Sequence, residues 1–225
     1  MAIKVYNFEI SGLATRKLVS NGTETFNQQK VSSVIEEVES DCVTFSESNT
    51  TLINKTNLTK IDFPNLTTIK TKNNTSGFLS GCSSLVCNFP KLKTIGSVNN
   101  SWHSPFSSVK EVILPQGLVY IGKYAVCDNK VLILNCNKAT FDTNWCYNAP
   151  SVNFIMCDDW QASINISVAA KNYTVDWFID LFTNKLADMT GQDAPQINIP
   201  LAIFEALSPE QLAIAQNKNW TVTGL

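Results

Sequence analysis

The chain is short of charge and of the residues that carry most active-site chemistry. Asp, Glu, Lys and Arg together make up 16% of its 225 residues, and the net charge is −2. It has no basic run and no acidic tail, so non-specific binding to nucleic acid or to an anionic membrane surface is not favoured. His103 is the only histidine, and any Cys–His nucleophile or serine triad would have to use it as base. Glycine-rich phosphate loops, Walker lysines and clustered metal ligands are missing. No stretch approaches the roughly 20 apolar residues of a membrane-spanning helix. A secretory signal is not legible either, because Glu9 breaks the opening segment Met1–Ile10 before a long apolar core can form. These absences argue for a non-enzymatic protein with no catalytic residue, no cofactor and no metal.

Cysteine is present but not in a motif. The seven cysteines are an odd number, and no two are separated by the two residues of a zinc or thioredoxin-like pair. They read as buried or half-buried free thiols that fill small apolar gaps, which suits a reducing environment during folding. A disulfide between neighbouring segments and a metal site are the alternatives.

What the chain does have is apolar content, 44%, and a self-similar pattern. An aromatic residue precedes an aliphatic one by seven positions at Phe78 and Leu85, Tyr124 and Val131, and Trp145 and Val152. Brief apolar strands follow, at Leu85–Pro90, Val109–Pro115, Val131–Leu134 and Val152–Met156. A second apolar couplet trails each: Leu66 and Ile69, Leu92 and Ile95, Leu118 and Ile121, Ala139 and Phe141. Pro64, Pro90, Pro115, Asn135 and Cys157 form one column with unequal spacing. The extra residues fall in polar stretches such as Asn73-Asn74 and Gly96–Ser104. Such a period predicts a solenoid, in which one repeat buries its apolar face only when a neighbour stacks on it.

The two ends read differently. Met1–Ile10 alternates as a first strand, and Ser20-Asn21-Gly22 marks a turn. Thr25 and Gln28 form a capping box for a helix with Val31, Val34, Ile35 and Val38 on one face, stopped at Ser40-Asp41. At the other end Thr174 caps a helix with inner face Val175, Phe178, Ile179, Phe182 and Leu186, and Gly191 fits just past its end. Gln196–Pro200 reads as a strand, Ser208-Pro209-Glu210-Gln211 as a second helix start, and Trp220–Thr223 as a final strand. The expected fold is an α/β solenoid: a short, irregular leucine-rich-repeat array with parallel strands, an N-terminal helix cap and C-terminal helix–strand units. The expected divisions are 1–45 as cap or anchoring segment, 46–168 as the array, and 169–225 as a C-terminal helix–strand repeat and cap.

The run Phe78-Leu79-Ser80-Gly81-Cys82-Ser83-Ser84-Leu85, followed by Phe89-Pro90-Lys91-Leu92-Lys93-Thr94-Ile95-Gly96, resembles the BspA-type leucine-rich repeat. Val109–Val131 is similar, with Ile113-Leu114-Pro115 and Leu118-Val119-Tyr120-Ile121-Gly122 in the same order. The resemblance covers roughly residues 58–157; the Val152 repeat departs from it, with Asp158-Asp159-Trp160 in place of the couplet. Leu186–Gln192 and Leu207–Thr221 look like the closing segment of such arrays in gut Bacteroides-type bacteria and their phages. The resemblance implies an adhesive or structural role with no common catalytic residues.

Few residues are left for a site. Trp102 and His103 share one insertion, and a lone loop histidine is ordinarily solvated. Asp158-Asp159 is the one acidic pair in the array, but adjacent residues point apart and make a poor acid/base couple. Tyr120, Tyr124 and Trp145 could also line a contact surface, although Tyr124 and Trp145 hold the internal aromatic position and read as packing. Trp102 and Trp160 do not, and are the better contact residues. The binding set is therefore Trp102, His103, Trp160 and Asp158. Repeated Asn-X-Ser/Thr sequences, among them Asn54, Asn65 and Asn165, reflect a composition rich in Asn and Thr. The expected role is a virion-associated protein of a phage capsid or tail surface, made in the host cytoplasm. Its partners would be other virion proteins or a host-surface protein or glycan, with homo-oligomerisation allowed and with no nucleic acid and no membrane insertion. The alternatives are a bacterial cell-surface adhesin and a carbohydrate-binding module.

Overall fold

The computed structural model describes residues 4–6, 17–20, 25–26, 35–45, 52, 54–70, 79–96, 105–126, 131–146, 152–167 and 173–225. Short strands dominate, because apolar residues alternate with polar ones over three or four positions and then meet a turn. In one sheet β1 (Lys4–Tyr6) lies antiparallel on β2 (Lys17–Ser20), and β4 (Glu37–Ser40) and β6 (Lys60–Asp62) follow in parallel. A second sheet of six two-residue strands runs β3 (Thr25–Phe26), β5 (Thr44–Phe45), β7 (Thr68–Ile69), β9 (Thr94–Ile95), β11 (Tyr120–Ile121) and β13 (Thr140–Phe141). A third, all parallel, joins β8 (Val86–Asn88), β10 (Glu111–Leu114), β12 (Val131–Leu134) and β14 (Asn153–Met156). A fourth holds β15 (Ile164–Asn165), β16 (Gln196–Ile199) and β17 (Thr221–Gly224), also parallel. The helices are few: α1 (Val175–Asp180), a π-helical turn at Leu181–Lys185, α2 (Leu201–Ala206) and α3 (Pro209–Gln216). The arrangement is α/β, built mostly of parallel strands.

The strands expected at Leu85–Pro90, Val109–Pro115, Val131–Leu134 and Val152–Met156 are β8, β10, β12 and β14, and the trailing couplets lie at β7, β9, β11 and β13. From β8 to β13 each segment thus supplies one strand to the third sheet and one to the second. The apolar residues between them form the core: Cys87, Phe89, Leu92 and Ile95 in one segment, Val112, Leu114, Leu118 and Ile121 in the next, all buried. Aromatic rings line up along it. Phe89 lies between Phe63 and Phe106, with ring centroids 6.2 and 6.3 Å away. Three loop residues, Asn54, Gly81 and Ser108, are evenly spaced along the chain and all take positive φ, at 57°, 78° and 58°. There the loops bond level to level, Asn54 N–H to the Ser80 carbonyl at 2.8 Å and Gly81 N–H to Ser107 at 2.7 Å. A Cβ at Gly81 would collide with the Asn54 side chain, so this position needs glycine on two grounds.

The N-terminal helix expected between Thr25 and Ser40 is corrected at its two ends. Thr25–Phe26 and Glu37–Ser40 are strands, and residues 27–34 lie outside the described residues. The helical spacing of Val31, Val34, Ile35 and Val38 competes with the two-residue period of Glu37-Val38-Glu39-Ser40, in which Val38 and Ser40 are buried. Pairing with β2 on one side and β6 on the other satisfies the backbone of this segment from both edges, an advantage a lone helix turn does not have. Both ladders therefore run through the boundary near residue 45. The Ser20-Asn21-Gly22 turn falls mostly outside the described residues.

The C-terminal elements follow their caps more closely. The Thr174 hydroxyl accepts from Trp177 N–H at 3.3 Å. The Ser208 hydroxyl accepts from Gln211 N–H at 3.3 Å while Gln211 Oε1 accepts from Ser208 N–H at 2.8 Å, which completes the expected capping box. Gly191 is not the helix terminator. The helix ends at Lys185 because Leu186 is drawn into an extended bridge with Trp160: Trp160 N–H donates to the Lys185 carbonyl at 2.8 Å and Ala187 N–H to the Trp160 carbonyl at 3.0 Å. Lys218 Nζ covers the carbonyls of Thr183 and Leu186 at 2.7 and 2.9 Å, the work a C-terminal glycine otherwise does. Helix α2 was not anticipated; it packs Phe204 and Leu201 against Gly224, where even a Cβ would approach Phe204 to 2.9 Å.

The Phe63–Phe89–Phe106 row yields a stability test. Phe89→Ala leaves a cavity between two rings that cannot close without moving neighbouring segments, and the expected loss is about 3–5 kcal/mol, read from urea unfolding.

Candidate functional site

The outward face of the β8–β14 sheet carries the most unusual surface. Because the four strands are in register, their outward residues form two rows. Val86, Glu111, Val131 and Asn153 make one, and Asn88, Ile113, Ile133 and Ile155 the other. Val86 is 38% and Ile155 48% exposed, and Ile113, Val131 and Ile133 are half-buried. Ile113, Ile133 and Ile155 thus lie side by side across three parallel strands, with Val86 and Val131 in the neighbouring row and no described element over them. All-parallel sheets are ordinarily covered on both faces, which makes this face the exception to explain.

At β14 the ladder ends and a small pocket opens. Strand residues whose N–H groups point away from β12 need other partners. Tyr173 supplies one set: its hydroxyl accepts from Phe154 N–H at 2.6 Å and donates to the Val152 carbonyl at 2.9 Å. A phenol therefore stands where the next strand's peptide group would be. Burial is the main cause that pushes its ionisation up to about 12. Further along, the Trp160–Leu186 bridge closes the edge again. Between these two plugs the pocket holds about 240 Å³. Phe154, Met156 and Leu181 form its floor, Ile155 and Trp177 its walls, and Asn153, Asp180 and Lys185 its rim. Trp177 is held by Tyr173 and Phe178, with ring centroids at 4.3 and 4.9 Å. Lys185 Nζ pairs with Asp158 at 2.6 Å, and that hydrogen bond is the leading cause holding the Lys185 ammonium above its ordinary range.

The residues picked from sequence are not brought together here. Trp102 and His103 lie outside the described residues. Trp160 is fully buried, its indole N–H donating to the Ala162 carbonyl at 2.7 Å and its ring 5.6 Å from Phe141; it offers packing rather than a contact surface. Asp158 is on the surface, 74% exposed, beside the pocket through Lys185. Its neighbour Asp159 takes a left-handed φ of 55°. Trp145 is buried, as its repeat position suggested, and donates to the Asn165 carbonyl at 2.9 Å. Tyr124 is half-buried. Tyr120 is also half-buried, with a hydroxyl that has no partner among the described residues. Trp177, Asn153 and Asp180 were missed. Nothing in their local sequence marks them; Trp177 was visible only as a helical aromatic off the expected inner face. Asn65 and Asn165 serve the structure, accepting from Lys91 Nζ at 2.8 Å and from Ser167 N–H at 3.0 Å.

Cysteine chemistry is muted. Cys42, Cys82, Cys87, Cys136 and Cys146 are buried, Cys157 is half-buried, and Cys127 lies outside the described residues. Desolvation pushes the Cys82 and Cys136 thiols up to about 11 and about 12, and raises Cys87 and Cys157 as well. Among the described residues no cluster of His, Cys, Asp and Glu is placed to hold a metal ion, and no helix is long and apolar enough to cross a membrane. Compared with known proteins, the chain matches no family model, no curated protein and no solved structure.

Two outcomes follow from this geometry. Tyr173→Phe removes the hydroxyl that serves both Phe154 N–H and the Val152 carbonyl, and is expected to cost about 1–3 kcal/mol in urea unfolding. The raised thiol and Tyr173 values mean that the unfolded chain ionises first as pH rises. Their stabilisation is complete below the ordinary thiol value of 9.0 and is lost as pH climbs toward about 12. Unfolding midpoints measured across that window are expected to fall, and to fall less in Cys136→Ala.

Proposed function

We propose that the chain is a non-enzymatic interaction protein, built as a short leucine-rich solenoid of the BspA type, and that it works on the surface of a phage particle, at the capsid or tail. The observation that carries the binding role is the largely apolar outward face of the β8–β14 sheet, over which no described element lies. Val86, Ile113, Val131, Ile133 and Ile155 give a flat, rigid surface whose burial against a partner releases water from adjacent β-branched side chains. The parallel pairing of the second and third sheets, with one strand of each in the segments from β8 to β13, supports the solenoid reading; the repeat motif at Phe78–Gly96 supports the leucine-rich type. The partners would be other virion proteins or a protein or glycan on the host surface, and repeated copies on a particle would multiply a weak contact by avidity.

The test is direct. Labelled chain is mixed with purified virions of the phage that encodes it and, separately, with host cells, and binding is read by co-sedimentation. Saturable binding to either is expected, weakened at least about tenfold by Val86→Lys, with the circular dichroism spectrum unchanged. A chain that remains monomeric and sediments with neither particle nor cell rejects the reading.

A further inference from the structure

We propose that the pocket between β14 and α1 binds a single neutral sugar residue, the terminal or exposed unit of a surface glycan; this rests on the binding-protein reading above and names a ligand for one part of it. Size comes first. Ligand pockets usually span about 300–1,000 Å³, and this one, at about 240 Å³, has room for one ring rather than an extended molecule. Its lining has the two-sided character of a pyranose. One wall is the indole of Trp177, fixed by Tyr173 and Phe178, and the C–H face of a sugar ring packs on the electron-rich face of such an aromatic. The rim is polar and offers both donors and acceptors. Asn153 is exposed, and its amide has no partner among the described residues. The Asp180 carboxylate accepts one bond from Asn184 at 2.7 Å and has lone pairs left.

The strand edge adds to this. Phe154 N–H points away from β12, to Tyr173, and by the two-residue period of a strand Met156 N–H points the same way. No described residue pairs with it. A vicinal diol, which donates and accepts at once, suits such a rim. An aliphatic side chain from a protein partner would strip water from these groups and return nothing. Charge then selects among sugars. Lys185 is already neutralised by Asp158 at 2.6 Å, and Asp180 remains, so phosphorylated, sulfated or carboxylated sugars find no free cation among the described lining residues. The π-helical turn at Leu181–Lys185 is a second observation, independent of lining chemistry. Such turns are rare and occur frequently at functional sites, and this one, starting immediately after Asp180, places Lys185 on the rim.

The experiment titrates the full chain with glucose, galactose, mannose and N-acetylglucosamine, following tryptophan fluorescence and saturation-transfer NMR. At least one is expected to bind saturably with Kd of about 1 mM. Asn153→Ala and Trp177→Phe are each expected to weaken it at least fivefold, and Lys91→Ala, in the exposed turn after β8, to leave it unchanged. Failure of all four sugars to saturate, or affinity unaltered in both pocket variants, would overturn the proposal. The two readings separate cleanly. Virion or cell binding that Val86→Lys abolishes, with none of the four sugars bound, overturns the sugar pocket and keeps the interaction protein. Sugar binding without particle or cell binding supports the pocket and rejects the virion-surface role.

Discussion

Parallel, in-register pairing between short strands is the constraint on which the rest depends. A strand of two to four residues cannot satisfy its own backbone or bury its own apolar side chains. Here an interior strand such as β10 is completed by the strand one segment earlier and one segment later, Glu111 opposite Val86 on one side and Val131 on the other. Register then propagates. Once Val112, Leu132 and Phe154 point inward together, every second residue points outward together, and the outer rows of Val and Ile result without further instruction. Core and surface are two consequences of one alignment.

The same constraint explains why the polar residues are where they are. Each level needs a turn, and each turn exposes peptide groups. Loop residues with positive φ at Asn54, Gly81 and Ser108 let successive turns bond to one another. Threonine and asparagine side chains reach across levels, Thr67 Oγ1 to the Val43 carbonyl at 3.1 Å and Asn137 Nδ2 to the Asp159 carbonyl at 3.0 Å. The Thr and Asn of the turns are therefore spent on backbone satisfaction.

Much of this was legible because the strands are local. Val131–Leu134 reads as a strand from four residues, and the cap at Ser208 from four more. Legibility failed where a distant partner decided the outcome. Glu37–Ser40 carries a helical apolar spacing upstream, yet β2 and β6 flank it and take it as a strand. Gly191 looked like a helix end, but Trp160, far back in the chain, pulled Leu186 out of the helix first. The pocket was invisible for the same reason. Asn153 and Trp177 are unremarkable in their own segments and meet only because the ladder stops at β14 and a helix is laid against its edge. Trp160, chosen as a contact residue because it fell outside the repeat's aromatic position, turned out to hold that helix segment in place.

The phenol at the end of the ladder has one more consequence. A row of stacked strands is a template that invites another copy of itself, and identical chains meeting end to end would extend it without limit. Tyr173 occupies the hydrogen-bonding positions that such a newcomer would need at Phe154 and Val152, and α1 blocks its approach. At that end the phenol oxygen and α1 together take up the strand edge at Phe154 and Val152 that a second copy would have to pair with.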